Sequence, residues 1–159
     1  MVPPGSTTSG SIQVPQEGFQ APDFSLSTLD GEEFALSEFR GRAILVNFWA
    51  TWCPPCRSEM PAMQQVYMDY GTDEFVILAI NSTYQDQSDK VEAFINEGGL
   101  TFPVLLDITG EVSNRYQVHS MPTSFFIDPE GVINEIVIGG PMSEALLRTR
   151  VDRLLGLQK

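Results

Sequence analysis

Hydrophobic and polar positions along this chain follow two spacings, one typical of strands and the other of helices. Apolar residues run almost unbroken through residues 43–49 (AILVNFW) and 75–80 (FVILAI), as expected for strands buried on both faces of a sheet. Between these runs, methionines and tyrosines recur at helical intervals, which predicts a helix over residues 56–70. This order indicates two strands joined by a helix, as in folds that contain parallel strands.

The other segments repeat these patterns on a smaller scale. Short alternating runs on either side of Asp30 and Gly31 predict an N-terminal β-hairpin. The remaining predicted strands are 104–106, 124–127 and 132–138, and the remaining predicted helices are 86–97, 110–116 and 143–155. Because helix-linked strands come first and an antiparallel hairpin comes last, we expect an α/β fold with a central mixed sheet flanked by helices.

Length and charge narrow the classes of function. The chain has 159 residues, which suits one domain, and its formal net charge is −12. Such an acidic surface repels nucleic acid, so we expect no nucleic-acid partner. Residues 1–17 are rich in Pro, Gly and Ser and are interpreted as a flexible linker or tether ahead of a domain at 18–159. Either the natural protein begins in this way or an upstream export signal or anchor was removed, and we favour removal.

Two cysteines, Cys53 and Cys56, are the only ones in the chain. A disulfide across two intervening residues closes a very small loop and therefore stabilises the fold little. The pair follows a predicted buried strand and precedes a predicted helix, which is the context of a redox-active Cys-x-x-Cys motif. Reactivity therefore explains the pair better than stability does.

The positions of the two cysteines predict their roles. Cys53 falls at or just before the first helical turn, where free backbone N–H groups and the helix dipole favour a thiolate. Pro54 and Pro55 stiffen the loop and lack N–H donors, and Cys56 lies one turn further along, more buried and less acidic. Cys53 would attack a disulfide, and Cys56 would then displace the bound product. A closed zinc site needs four ligands, more than two Cys and one His supply, so we expect no metal.

Several longer motifs in the same order make the chain similar to a known family. They occupy residues 48–57 (FWATWCPPCR), 59–61 (EMP), 101–107 (TFPVLLD) and 121–131 (MPTSFFIDPEG). The sequence resembles the TlpA/ResA-like branch of the thioredoxin superfamily, in the AhpC/TSA–redoxin group, over about residues 18–155. The resemblance implies a thioredoxin fold and a cis peptide between Met121 and Pro122 that faces the cysteine pair. It also implies substrate contacts, which we assign to Trp52, Pro54, Pro55, Met121 and Pro122.

The resemblance further implies an exported, membrane-tethered bacterial reductase. Such proteins reduce extracytoplasmic protein disulfides, those of apocytochrome c among them, with electrons from a membrane thiol carrier. We therefore expect protein disulfide or dithiol partners, a monomer, and no cofactor other than the Cys53–Cys56 couple. An oxidising compartment also suits a chain without spare cysteines, since none can mispair.

The residue that transfers a proton to or from Cys56 is not evident from the pattern. Cytosolic thioredoxins carry a buried Asp in the strand before the motif, but Asn47 stands at that place, and an amide is not a base. Glu59, three residues after Cys56, is one candidate, although a solvated helix face would explain it as well. Asp86 is the other, although an N-cap of the following helix is the alternative that we favour for it.

A copper chaperone of the Sco type is the alternative function. That family shares the fold and uses two cysteines with a distant histidine, which here would be Cys53, Cys56 and His119. Against this assignment, Sco proteins space their cysteines by three residues rather than two and lack a proline where Pro122 stands. A solvated loop histidine is the simpler interpretation of His119.

Overall fold

A seven-stranded mixed sheet forms the centre of the structure, a computed structural model that describes residues 12–157. The strands are β1 (Ser25–Ser27), β2 (Glu33–Ala35), β3 (Ala43–Trp49), β4 (Phe75–Asn81), β5 (Val104–Leu106), β6 (Thr123–Ile127) and β7 (Ile133–Ile138). Across the sheet they lie in the order β2-β1-β5-β4-β3-β6-β7. The strands β3, β4 and β5 are parallel, whereas the other pairs are antiparallel. The predicted mixed sheet is confirmed.

Helices cover both faces of this sheet. They are α1 (Pro54–Tyr70), α2 (Ser88–Gly98), α3 (Glu111–Arg115) and α4 (Glu144–Leu154), with two short 3₁₀ helices at Leu36–Phe39 and Thr83–Gln85. Side chains of α1, α2 and α4 pack with Leu45 and Trp49 on one face, and α3 packs with Val46 and Phe48 on the other. None of the helices within residues 12–157 has the length and apolar character needed to span a bilayer.

The predicted elements are all present, with shifts at their ends. The limits of β3 and β5 are those predicted, and the N-terminal hairpin of β1 and β2 pairs with β5 through Ser27 and Leu106. Helix α1 begins two residues earlier than predicted, because proline is well tolerated at the first helical position. Helix α2 begins at Ser88 rather than at Asp86, since the residues before it form a separate 3₁₀ helix.

The described part of the predicted linker contacts the domain. Gln13 forms a β-bridge with Gln20, and the backbone N–H of Ile136 donates to the Glu17 carboxylate at 2.9 Å. The packed region therefore begins before residue 18, because Gln13 and Glu17 form contacts with the domain, the latter at strand β7. Residues 1–11 of the predicted linker lie outside the described residues.

Candidate active site

The two cysteines lie where β3 gives way to α1. Cys53 is the N-cap of α1, and its sulfur accepts a hydrogen bond from the Cys56 backbone N–H at 3.3 Å. Pro54 occupies the first helical position, and the two cysteines are joined by a disulfide with their Cα atoms 5.3 Å apart. The predicted placement of Cys53 at the helix start is confirmed. In the reduced protein, the same N–H and the helix dipole stabilise a thiolate at Cys53.

The two sulfurs differ in access from solvent. Cys53 retains 4% of its surface, whereas Cys56 retains none. Trp52 and Pro54, which flank Cys53, are exposed. An incoming disulfide therefore meets Cys53 first, and Cys56 is accessible only from within the protein. The prediction that Cys56 is the more buried of the two is confirmed.

Glu59 is a buried carboxyl on the same face of α1 as Cys56. It has no exposed surface, so the solvated helix face considered for it is wrong. Its oxygens accept hydrogen bonds from the Asn47 side-chain amide at 2.8 Å and from the Met142 backbone N–H at 3.0 Å. Burial raises the pKa of Glu59 and outweighs these two hydrogen bonds, which lower it. Because residues three apart on a helix are neighbours, this carboxyl lies beside Cys56.

Gly140 provides the space that the Glu59 carboxyl occupies. A Cβ atom at position 140 would lie 2.7 Å from Glu59 Oε1 and 3.0 Å from Pro122 Cγ. Glu59 therefore lies close to the Met121–Pro122 peptide, which is cis as the resemblance implied. The Gly140–Pro141 peptide is also cis, which the sequence pattern did not indicate. A buried acid, a cis-proline and a redox-active cysteine pair thus lie at the same end of the sheet.

Asp86 holds the loop before Cys53 against the end of β4. Its carboxylate accepts four hydrogen bonds, from the Thr51 N–H at 2.7 Å, the Thr51 hydroxyl at 2.6 Å, the Asn81 amide at 3.0 Å and the Gln87 N–H at 2.8 Å. The N-cap interpretation is wrong, because Gln87 is the N-cap of α2. Burial raises the pKa of Asp86, but the hydrogen bonds outweigh burial and hold it below the ordinary value. With both oxygens occupied by donors, Asp86 acts as a positioning residue.

Replacing Asp86 by asparagine is expected to destabilise the protein by about 1–3 kcal/mol. The two carboxylate oxygens each accept one backbone N–H, from Thr51 and from Gln87, so an asparagine amide in either orientation turns its NH2 toward one of these donors and leaves it unpaired. Urea unfolding of the oxidised protein measures the loss. Since the pKa of Asp86 is depressed by folding, its contribution is present above the unfolded pKa and is lost as pH falls. The gap between Asp86→Asn and wild type should therefore narrow below about pH 4.

Asp89→Asn is the matched control. Asp89 is exposed and lies in the first turn of α2, so its loss should cost only a few tenths of a kcal/mol through the helix dipole. Equal stability of Asp86→Asn and Asp89→Asn would show that the Asp86 contacts do not hold this loop.

The other predicted substrate contacts surround the same loop. The Trp52 indole is 55% exposed and its Nε1–H donates to the Gln85 carbonyl at 2.9 Å, which fixes the ring beside Cys53. Met121 is half-buried and packs against the core cluster that contains both cysteines, and its sulfur accepts a hydrogen bond from Ser82. Pro55 is half-buried and Pro122 is buried. Trp52 and Pro54 are therefore the predicted contact residues that are exposed to solvent on either side of Cys53.

The structure does not support the copper-site alternative. His119 is exposed and lines a separate cavity of about 180 Å³ with Tyr116 and Ser120 rather than with either cysteine. Within residues 12–157, no three His, Cys, Asp or Glu side chains form a group that would hold a metal ion. The Sco-type assignment of Cys53, Cys56 and His119 is therefore wrong.

Two functional neighbours were missed in the sequence. Asn47 stands where cytosolic thioredoxins carry an aspartate, and its side-chain amide donates to the Glu59 carboxylate and to Ser124 Oγ at 3.0 Å. A single polar residue in an otherwise apolar buried strand was the signal that pointed to such a role. Gly140 carried no comparable signal, because its importance depends on a carboxyl far away in the sequence.

The fold and the site together define a thioredoxin-fold thiol–disulfide oxidoreductase. The parallel strands and covering helices place a Cys-x-x-Cys disulfide at a helix N-terminus, with a cis-proline loop and a buried carboxyl nearby. The chain belongs to the AhpC/TSA family, whose model matches residues 18–136.

Individual relatives agree with this classification. Thioredoxin-like protein YneN of Bacillus subtilis is 48% identical over 138 residues, covering 86% of this chain and 79% of the relative. Thiol-disulfide oxidoreductase ResA of Geobacillus kaustophilus is 42% identical over 131 residues, covering 82% of this chain and 74% of the relative. A crystal structure of a thiol:disulfide interchange protein from Chlorobium tepidum is 35% identical with a TM-score of 0.79, covering 86% of this chain and 96% of that one.

Proposed function

We propose that this oxidoreductase works as an extracytoplasmic reductase of protein disulfides, with apocytochrome c as a candidate substrate. The observation that carries the proposal is the buried Glu59 carboxyl on the helix face of Cys56. A negative charge that forms at Glu59 disfavours a second one at Cys56. The dithiol is then the less stable form of the couple, as a reductant requires.

The reaction consists of two exchanges at sulfur. The Cys53 thiolate attacks one sulfur of the substrate disulfide, that bond breaks, and the departing substrate thiolate takes up a proton. Cys56 then loses its proton, and its thiolate attacks the Cys53 sulfur and releases the second substrate thiolate. Two electrons pass to the substrate, and the protein is left with the Cys53–Cys56 disulfide seen in the structure.

Glu59 is the proposed proton acceptor for Cys56. Because burial raises the pKa of Glu59, this pKa lies closer to that of a thiol than the pKa of an ordinary carboxyl does. A smaller difference in pKa makes proton exchange with the neighbouring Cys56 thiol easier. The Asn47 amide and the Met142 N–H orient the carboxylate without neutralising it. Asp86 is the weaker candidate, because its pKa is depressed and its oxygens are occupied.

The substrate chain is proposed to bind along the loop that carries Met121 and Pro122. An extended segment would pair with the Met121 backbone as a short added strand, while Trp52, Pro54 and Pro55 contact it beside Cys53. The monomer is sufficient for this arrangement. No further cofactor is needed, since the two sulfurs carry the electron pair.

After each turnover the Cys53–Cys56 disulfide must be reduced again, which requires two electrons from outside the chain. We propose that a membrane thiol carrier reduces the Cys53–Cys56 disulfide by the reverse of the same exchange. A location outside the cytoplasm fits the absence of any third cysteine, since a spare thiol could mispair in an oxidising compartment.

The equilibrium potential of the Cys53–Cys56 couple tests the direction of the reaction. Equilibration with glutathione buffers, followed by alkylation and mass measurement, should give a value below about −250 mV. Such a dithiol donates electrons to most exported protein disulfides. A value near about −120 mV, that of a strong oxidant, would contradict the reductase assignment.

A further inference from the structure

A cavity of about 310 Å³ opens beside the redox motif, between the loop that precedes Cys53 and helix α2. It is lined by Thr51, Trp52, Arg57, Lys90, Ala93, Phe94 and Glu97. Trp52 directly precedes Cys53, and Arg57 directly follows Cys56. A segment of a substrate that is joined to Cys53 through its own cysteine therefore reaches this cavity within one or two residues.

Arg57 is held in a fixed orientation at the cavity wall. Its guanidinium carbon lies 4.8 Å from the centroid of the Phe94 ring, and its Nη1 donates to the Thr51 carbonyl at 3.2 Å. A guanidinium has five N–H donors, and this hydrogen bond uses one of them. The face stacked on Phe94 leaves the other donors directed along the plane of the group, where a carboxylate is bound by two parallel hydrogen bonds.

The charges in the cavity differ from those of the surrounding surface. The chain has nine basic and 21 acidic residues, and four of its arginines form ion pairs with carboxylates (Arg115, Arg148, Arg150 and Arg153). Within residues 12–157, neither Arg57 nor Lys90 has a carboxylate oxygen within 4 Å. Glu97 is the one carboxylate among the lining residues. The cavity thus combines two cations with one acid in a protein of net charge −12.

We propose that this cavity binds the carboxylate of an acidic residue close to the reactive cysteine of a protein substrate. The inference rests on the proposed reduction of protein disulfides. Arg57 and Lys90 bind the carboxylate, and the exposed face of the fixed Trp52 ring packs against the apolar part of the same segment. Because the rest of the surface repels acidic segments, this local attraction selects the orientation in which the substrate cysteine approaches Cys53.

Three synthetic peptides test the proposal. Each has one intramolecular disulfide, and they differ only in whether glutamate, glutamine or lysine flanks the first cysteine. The rate constant for reduction by the reduced protein is divided by that for reduction by dithiothreitol, which corrects for the intrinsic reactivity of each disulfide. We expect the glutamate peptide to react about tenfold faster than the glutamine peptide, the scale of a hydrogen-bonded charge. The lysine peptide should react more slowly than both, and added salt should reduce these differences.

Variants of the cavity should change this preference in opposite directions. Arg57→Gln with Lys90→Gln should bring the glutamate-to-glutamine ratio close to one, and Lys90→Gln alone should lower it in part. Lys90 is exposed and has no described contact whose loss would unfold the protein. Glu97→Gln removes the acid from the cavity and should raise the ratio.

A charge-matched control separates the cavity from overall electrostatics. Arg40→Gln with Arg42→Gln also removes two positive charges, but before β3 rather than beside the motif that follows it. This control should keep the tenfold preference. The inference would be overturned if the wild-type protein gave the same corrected rate constant for all three peptides. It would also be overturned if both double variants lost the glutamate preference to the same extent. Either result would leave the proposed function unaffected. If none of the peptides is reduced, the proposed function and the inference both fail.

Discussion

Replacing Cys53 by serine is expected to slow reduction of insulin disulfides at least about 1,000-fold, the scale seen when a covalent nucleophile is removed. Cys53 lies at the helix N-terminus and is the sulfur that a substrate reaches from solvent. Without it, the remaining sulfur, that of Cys56, has no exposed surface and cannot replace it as the attacking group. Replacing Cys56 by serine should have a different result. The first exchange still takes place, but the mixed disulfide between Cys53 and the substrate is not resolved and accumulates.

Insulin turbidity and non-reducing gels distinguish the two variants. In the Cys56→Ser protein, Cys53 is the one remaining thiol and can be measured by itself. Its alkylation by iodoacetamide should show a pH midpoint below about 8.5, the pKa of an ordinary cysteine thiol. The Cys53→Ser protein is the matched control, in which buried Cys56 should alkylate slowly. If Cys53 reacted no faster than an exposed thiol of a peptide, the assignment of Cys53 as the attacking sulfur would be wrong.

Replacing Glu59 by glutamine is expected to slow the resolving step by about 100-fold, a common contribution of a positioned acid or base. The attack by Cys53 should change much less, because Glu59 lies on the buried side of the motif with Cys56. Rapid mixing of reduced protein with a disulfide substrate separates the two steps. The mixed disulfide should appear at nearly the normal rate and should decay slowly.

The pH dependence distinguishes proton transfer from a structural role. Below the raised pKa of Glu59 the carboxyl is protonated and does not accept the Cys56 proton, so the wild-type resolving rate should fall with decreasing pH. The Glu59→Gln protein should lack that inflection. Stability gives an independent measure. The pKa of Glu59 is higher in the folded protein than in the unfolded chain, so ionisation of this carboxyl destabilises the fold. As pH rises through the folded pKa, the wild-type protein should therefore lose stability relative to Glu59→Gln.

Glu92→Gln provides the control for this experiment, because Glu92 is an exposed carboxylate on α2. It should retain the wild-type resolving rate and its pH inflection. A Glu59→Gln protein that resolves at the normal rate throughout the pH range would exclude Glu59 as the proton acceptor for Cys56.

Much of the fold could be predicted because local signals agree with tertiary structure. The run AILVNFW is apolar enough to be a strand only where both faces are covered, and β3 has the predicted limits. The turn at Gly71 and the proline at the start of α1 similarly fix the ends of that helix. The position of Cys53 at the helix start follows from these two elements together.

The charged residues around the site could not be assigned in the same way. The buried Glu59 carboxyl accepts a hydrogen bond from the backbone N–H of Met142, 83 positions later, and no local pattern indicates that contact. Asp86 binds Thr51, 35 positions earlier, so its proximity to the following helix suggested an N-cap instead. Helical spacing alone places Glu59 near the edge of the buried face, where a solvated side chain and a buried one have the same periodicity.

Because the chain has only two cysteines and they pair with each other, the number of alkylated thiols reports the oxidation state of each molecule. After denaturation and alkylation, a molecule with two added groups was reduced, one with none was oxidised, and one with a single group carried a partner on the other sulfur. Intact-mass spectrometry would therefore resolve donor, acceptor and trapped intermediate in one spectrum, with no label and no engineered reporter.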